Sequence, residues 1–293
     1  MNDSRTYKLE QSPVPPESWS DYAARNMAKW KTLLNRDPSP SESEVQQFLE
    51  MHPSLVPGAF GTNANPSGGP IYKAVITQAP LPSYNKRVTD FMWISRDSMN
   101  ERPVLIEIEA PSKKYFTKDG VPTAEFTQAQ NQIAEWKAYF NDLNNVELFK
   151  KFYGIERYSG LGLRFSPSYI LIYGRRSEFE GNKDLTAKRG ILNLPDVHLI
   201  SFDSLNFDPK CDQFICVKMR GPLRPEAISV PATIAWSPIL ASDRCMISNI
   251  EQAVLSNSEI NHERKHFLAS RVGYWNEWGK RDDQGFINAG DKE

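Results

Sequence analysis

Three acidic residues sit where acids are costly. Asp90 lies inside the apolar run RVTDFMWIS, and Glu107 and Glu109 lie inside the next one, PVLIEIEA. Strand side chains alternate between faces, so Glu107 and Glu109 share one face while Ile106 and Ile108 take the other. Two carboxylates buried side by side lose hydration and repel each other unless positive charge neutralises them. A divalent cation held by hard oxygen ligands is the simplest neutraliser, and Asp90 on the neighbouring strand would complete its shell. The competing placement is an edge strand on which the glutamates face water.

The surrounding elements must hold these groups in place. Before them, SESEVQQFLEMHPSLV offers Ser41 as a helix N-cap with Glu44 three residues on, followed by Val45, Phe48, Leu49 and Leu55 at helical spacing. A Gly/Asn/Pro loop over 61–70 leads to three strand-like runs, IYKAVITQ, RVTDFMWIS and PVLIEIEA. The segment PTAEFTQAQNQIAEWKAYFNDL then reads as an amphipathic helix with Phe126, Ala129, Ile133, Trp136 and Phe140 on its apolar stripe. Gln128 and Gln132 fall one turn apart on the adjoining face. SYILIYG has the continuous apolar character of a buried central strand. A basic stretch, RRSEFEGNKDLTAKRG, leads on to the strand VHLISF. The order α-β-β-β-α-β with a trailing α-β predicts an α/β fold, a mixed β-sheet flanked by helices. Residues 1–41 are polar and proline-punctuated, with one helix over Trp19–Leu34, and read as an N-terminal arm. Residues 42–205 form the core. Residues 206–293 read as a C-terminal extension, with strands at QFICVKMRG and AISVPATIAW and helix over most of 246–280.

Composition narrows the function. The chain has 293 residues, 40% apolar and 24% charged, with 35 basic and 36 acidic residues for a net charge of −1. That balance excludes bulk polycation binding and leaves room for a local basic groove. No apolar run nears the length that spans a bilayer, and the first residues lack a signal peptide's apolar stretch, so a cytoplasmic protein with no membrane partner is expected. Cys211, Cys216 and Cys245 form no CxxC pair and read as buried thiols. His262-Glu263-Arg264-Lys265-His266 fits the HExxH zinc-protease spacing. Its two charged intervening residues, its polar surroundings and the absence of the metzincin continuation argue for a chance match on an exposed helix.

The helix with Glu44, Asp90 in RVTDFMWI, LIEIEAP with Glu107 and Glu109, the helix TQAQNQIAEW, the turn YILIYGRR and the later HLISFDSL together resemble the PD-(D/E)XK nuclease superfamily. More narrowly they resemble the Shedu-type bacterial defence nucleases, over roughly residues 42–205. The resemblance implies a restriction-endonuclease-like core that cuts DNA with Mg2+ or Mn2+, in anti-phage defence. It places Asp90 and Glu107 on the metal, with Glu44 reaching in from the first helix as a further acidic ligand. Alternatively, Glu44 only partners Ser41 in a capping box. Metal ions among carboxylates would offset the charge that grows on the phosphorane and the leaving oxygen.

The third catalytic position, two residues after Glu107, is commonly lysine in the superfamily and is Glu109 here. A glutamate can bind the metal or accept the water's proton, but it cannot stabilise an anion directly. Lys113, as catalytic surrogate, or Lys114 could swing back into the site, or both could contact phosphate from a loop. Gln132, four residues before Trp136, matches a Gln-then-aromatic motif that orients the site or touches phosphate, and otherwise is a helix-surface residue. Arg175 and Arg176 end the buried strand at the sheet rim, a place to meet DNA phosphates, or are plain surface charge. A homo-oligomer would set two sites against a duplex. The alternative function is a catalytically dead nuclease fold kept as a nucleic-acid-binding or regulatory module.

Overall fold

The polar N-terminal segment carries helix α1 (Trp19–Leu34), whose N-cap Ser18 accepts from the Asp21 N–H. Tyr22, Asn26, Trp30 and Leu34 form its buried stripe. The expected arm is therefore packed against the body, because a three-to-four spacing of large apolar side chains demands burial. Helix α2 (Glu42–Met51) follows and packs on the same side through Val45 and Leu49. The structure, a computed structural model, describes residues 5–62, 68–82, 87–158, 162–192, 194 and 196–293. The loop predicted over 61–70 thus lies partly outside the described residues, at 63–67.

The apolar runs become strands as expected. β1 (Ala74–Leu81), β2 (Arg87–Arg96) and β3 (Asn100–Ile108) pair antiparallel in sequence. The helix predicted over 122–143 is α3 (Ala124–Phe140), and a further helix that the sequence reading did not assign follows it, α4 (Leu143–Tyr153): Asp142 caps it through the Asn144 N–H and Gly154 closes it in the left-handed region. The chain then returns through the short β4 (Arg164–Phe165), β5 (Ser168–Ile172), α5 (Lys183–Leu192) and β6 (Val197–Ile200). β5 runs parallel to both β3 and β6, which explains its unbroken apolar sequence.

Residues beyond 205 do not stand apart. β7 (Ile215–Met219) joins the same sheet parallel to β1, and β8 (Pro225–Ser229) pairs antiparallel to β7. The strand expected over 227–236 ends at Ser229. Pro231 lacks the N–H a ladder needs, and the segment continues as buried irregular chain. α6 (Pro238–Arg244), α7 (Ile250–Ser256) and α8 (His262–Gly279) complete the chain. Among the described residues the sheet has eight strands, in the order β6-β5-β3-β2-β1-β7-β8, with β4 beside β3.

The two sheet faces bury two cores. Phe91, Trp93, Val104, Ile106 and Ile108 meet Trp30, Val45 and Leu49 on one side. Met92, Ile94 and Leu105 meet Phe126, Ile133, Trp136 and the C-terminal helices on the other. Strand alternation assigns each residue to its face. The mixed, helix-flanked sheet is thus the expected fold class.

Candidate active site

β2 and β3 bring the first two acids together by register. The last ladder pairs are Met92 with Leu105 and Phe91 with Ile106, so the next position on each strand is Asp90 and Glu107. Asp90 Oδ2 accepts the Ile108 N–H at 2.8 Å, which turns its carboxylate toward β3. Glu107 is 6% exposed and still within the β3–β5 ladder, opposite Leu171. Its Oε2 is buried and has no hydrogen-bond partner among the described residues. The Glu109 N–H donates to the Ile172 carbonyl at 3.2 Å, extending the strand geometry two residues further. An edge-strand placement of the glutamates is excluded, since β3 has neighbours on both sides.

A fourth acid enters that the sequence reading missed. Glu42, the first residue of α2, is pushed up to about 7 by burial and by the charges of Asp90 and Glu109. Glu44, the residue expected from that helix, turns away. It accepts from the Ser41 N–H at 2.9 Å in a full capping box and pairs with Arg36 at 2.7 Å. The available signal was the capping box itself: once Glu44 is committed to Ser41, Glu42 is the acid left on that turn.

The cluster is short of positive charge. Burial raises Asp90 to about 6 against the pull of the Ile108 N–H. Glu107 is pushed well above the carboxylate range, first by burial and then by Asp90 and Glu109. Of the two, Glu107 is raised the further. Lys113 reaches the group: it ion-pairs with Glu109 and draws Glu42 back down.

Among the described residues no three His, Cys, Asp or Glu side chains are drawn close enough to grip an ion as they stand. The donor set is nevertheless the oxygen-only set that suits a hard divalent cation, and Glu107 Oε2 is a buried acceptor in need of one. Asp90, Glu107, Glu109 and Glu42 are the residues that could hold it.

The loop carrying Lys113 is fixed from below. Glu178 accepts the Tyr115 and Phe116 N–H groups, both at 3.0 Å. Gly174 lies so close that a Cβ there would stand 2.9 Å from the Lys113 carbonyl, and its φ of +59° favours glycine. Beyond Lys113 opens a groove of about 490 Å3, in which Arg36, Lys114 and Arg175 are the further cations and Ser39, Ser112 and Ser177 the hydroxyls. Lys114 is exposed. Arg175 is not a free cation. It pairs with Asp203 at 2.8 Å and also donates to the Leu34 carbonyl and to Asn35, latching the end of α1. Arg176 leaves this groove and lines a different cavity. Gln132 is half-buried on α3 and makes no side-chain hydrogen bond among the described residues, so nothing ties it to the carboxylates.

The HExxH match does not assemble. His262, Glu263 and His266 are exposed on α8, and the two rings face each other at 3.2 Å between Nε2 atoms. The Arg264 between them is buried and donates to the Ile234 carbonyl at 2.6 Å.

A helix-flanked mixed sheet, with acids from two adjacent strands and a helix start gathered at one end, has the restriction-endonuclease-like α/β architecture. The chain belongs to the Shedu family: the model of the Shedu protein SduA C-terminal region matches residues 39–206. No curated protein matches it. Family membership points to a bacterial anti-phage defence protein and to an enzyme of the nuclease type. Among the described residues no helix is long and apolar enough to cross a membrane.

Proposed function

We propose that the protein is a metal-dependent DNA endonuclease that acts in anti-phage defence by hydrolysing phosphodiester bonds. One observation carries the reading: a cluster of four carboxylates with an unsatisfied buried oxygen abuts a cationic groove, and Lys113 borders both. Asp90, Glu107 and Glu42 would hold a divalent ion, Mg2+ or Mn2+, with Glu109 as further ligand or base. Such an ion supplies positive charge at the scissile phosphate and acidifies water.

The chain's own residues do the rest. Lys114 and Arg36 seat the DNA backbone in the groove, with Arg175 fixing its wall. Lys113 stands where its ammonium can leave Glu109 for a phosphate oxygen, supplying the cation that the strand position lacks. Glu109, released, can then accept the proton of the attacking water. Two copies of the site, in a homo-oligomer, would reach both strands of a duplex.

The test is incubation of the purified protein with plasmid and linear DNA in EDTA, Mg2+ and Mn2+. Cleavage only with the divalent ions, lost in a folded Glu107→Ala protein, is the expected result. Binding of DNA with no cleavage under any of these conditions would instead favour a catalytically dead module, for which the missing lysine at position 109 is the supporting observation.

A further inference from the structure

One residue of β1 breaks the strand pattern. The β1–β2 ladder pairs Thr77 with Phe91 and Ala79 with Thr89, so Gln78 and Asp90 stand opposite each other, yet they form no ladder pair. Gln78 has a φ of +44°, in the left-handed region that strains any residue but glycine. The faces shift there too. Ala74 and Ile76 lie in one core, and Ala79 and Leu81, an odd step further on, lie in the same one. A local irregularity of this kind re-aims a side chain, and such irregularities gather beside active sites. Here it leaves Gln78 exposed between the buried Thr77 and Ala79.

The partner of that side chain comes from the C-terminal extension. β7 runs parallel to β1 with Val217 beside Ile76, so the next position on each strand is Lys218 and Thr77. The Lys218 ammonium donates to Gln78 Oε1. The acids nearby are otherwise engaged: Glu226, across the β7–β8 ladder, pairs with Arg220 at 2.8 Å, and Glu50 of α2 accepts from Thr77. The positive charge of Lys218 is therefore met by a neutral amide, with no carboxylate partner among the described residues. Gln78 Nε2 likewise makes no hydrogen bond among them.

Strand order sets these groups in a row, Lys218 on β7, Gln78 on β1, Asp90 on β2 and Glu107 on β3. The groove with Lys113, Lys114 and Arg36 opens on the β5 side of that row, and Lys218 closes the other side. β7 is two strands from β2, roughly 10 Å at the usual spacing. Only an extended polyanion meets cations on both sides of the carboxylates at once, as a chain of phosphodiesters does.

Resting on the nuclease reading of the carboxylates, we infer that Lys218 and Gln78 form a second backbone contact for the DNA strand, across the cluster from the groove. The Lys218 ammonium meets a phosphate, and Gln78 Nε2 donates to an oxygen of that same phosphate. The contact draws a residue outside the family-matched stretch into the substrate path.

The test is an anisotropy titration of the full-length protein against a fluorescent DNA duplex in EDTA, at several salt concentrations. The variants are Lys218→Gln, Lys218→Arg, Gln78→Gly and, as a control for lost charge, Lys280→Gln at the exposed end of α8. Lys218→Gln should lower the slope of log affinity against log salt by about 0.9, the share of one phosphate. Lys218→Arg should keep the parental slope, and so should Lys280→Gln. Gln78→Gly relieves the left-handed strain, so it should melt no lower than the parent, yet bind DNA about threefold to tenfold more weakly. A parental slope in Lys218→Gln overturns the inference. So does an equal loss in Lys280→Gln, parental affinity in Gln78→Gly, or no binding of DNA by the parent. Cleavage is scored separately in Mg2+. A parent that cuts while Lys218→Gln keeps its slope loses this contact and keeps the nuclease reading, whereas a lowered slope without cleavage does the reverse.

Discussion

Glu107 combines burial, an unsatisfied oxygen and two acidic neighbours, and each has a measurable consequence. Replacing it with Gln removes the charge but keeps the shape. The metal-free protein should be as stable or more so near pH 8, while divalent-dependent cleavage falls below detection. Thermal melts and a plasmid assay on the same preparation check both. The pH dependence has a definite sign. Glu42 and Asp90 rise on folding, from 4.5 to about 7 and from 3.8 to about 6. A raised carboxylate stabilises the fold below its unfolded pKa and loses that contribution as pH climbs through the folded value. In EDTA the melting temperature should therefore decline between about pH 4 and pH 7, and added Mg2+ should reverse the decline. A Glu42→Gln, Asp90→Asn double variant with an undiminished decline would assign it elsewhere. If Lys113 is the surrogate cation, Lys113→Ala should cut turnover about 10²–10⁴-fold at saturating DNA, whereas Lys114→Ala should mainly weaken binding and lower its salt dependence. Asp90, Glu107 and Glu109 were legible because acids inside apolar strands are rare and alternation fixes their face. Glu42 was not, since an acid at a helix start is ordinary and only the tertiary approach of α2 to β2 and β3 distinguishes it.

At the scale of elements, α2 divides two jobs between acids two residues apart. Glu44 closes the capping box and Glu42 faces the cluster. Glu44→Ala should lower stability modestly by opening the capping box, and leave cleavage per folded molecule intact. Glu42→Ala should do the reverse, and a denaturant titration beside a cleavage assay separates them. The strands 71–78, 87–95, 103–110 and 168–174 were legible from their periodicity or continuous apolar character, and the bounds found lie within a few residues. Helix α3 was legible over 122–143, but α4 went unread, although Asp142 as its N-cap and Gly154 as its close are ordinary sequence signals. The groove was half legible. Lys113 and Lys114 are evident as a basic doublet, but the position of Arg36 depends on α1 folding back, which no local pattern specifies.

At the scale of the molecule, the first and last segments are tied together. Arg271 donates to Glu293 from Nε at 2.9 Å, and Glu293 also accepts from Trp275 and from the Glu10 N–H. Arg271→Leu would leave that carboxylate buried without its cation, a loss of about 3–5 kcal/mol, with cleavage per folded molecule unchanged. Chemical denaturation monitored by tryptophan fluorescence measures it. The pairing of β1 with β7 has a consequence of another kind. The family-matched stretch, 39–206, ends before β7 begins. Cut out alone, it would open the outer side of β1 where β7 pairs, at Ala74–Ile76, leaving N–H and C=O groups of an apolar strand ready to template on another copy. The excised stretch should accumulate as insoluble or polymeric material, while the full chain stays dispersed. In this protein the part that resembles a nuclease would be guarded against self-assembly by strands that lie outside it.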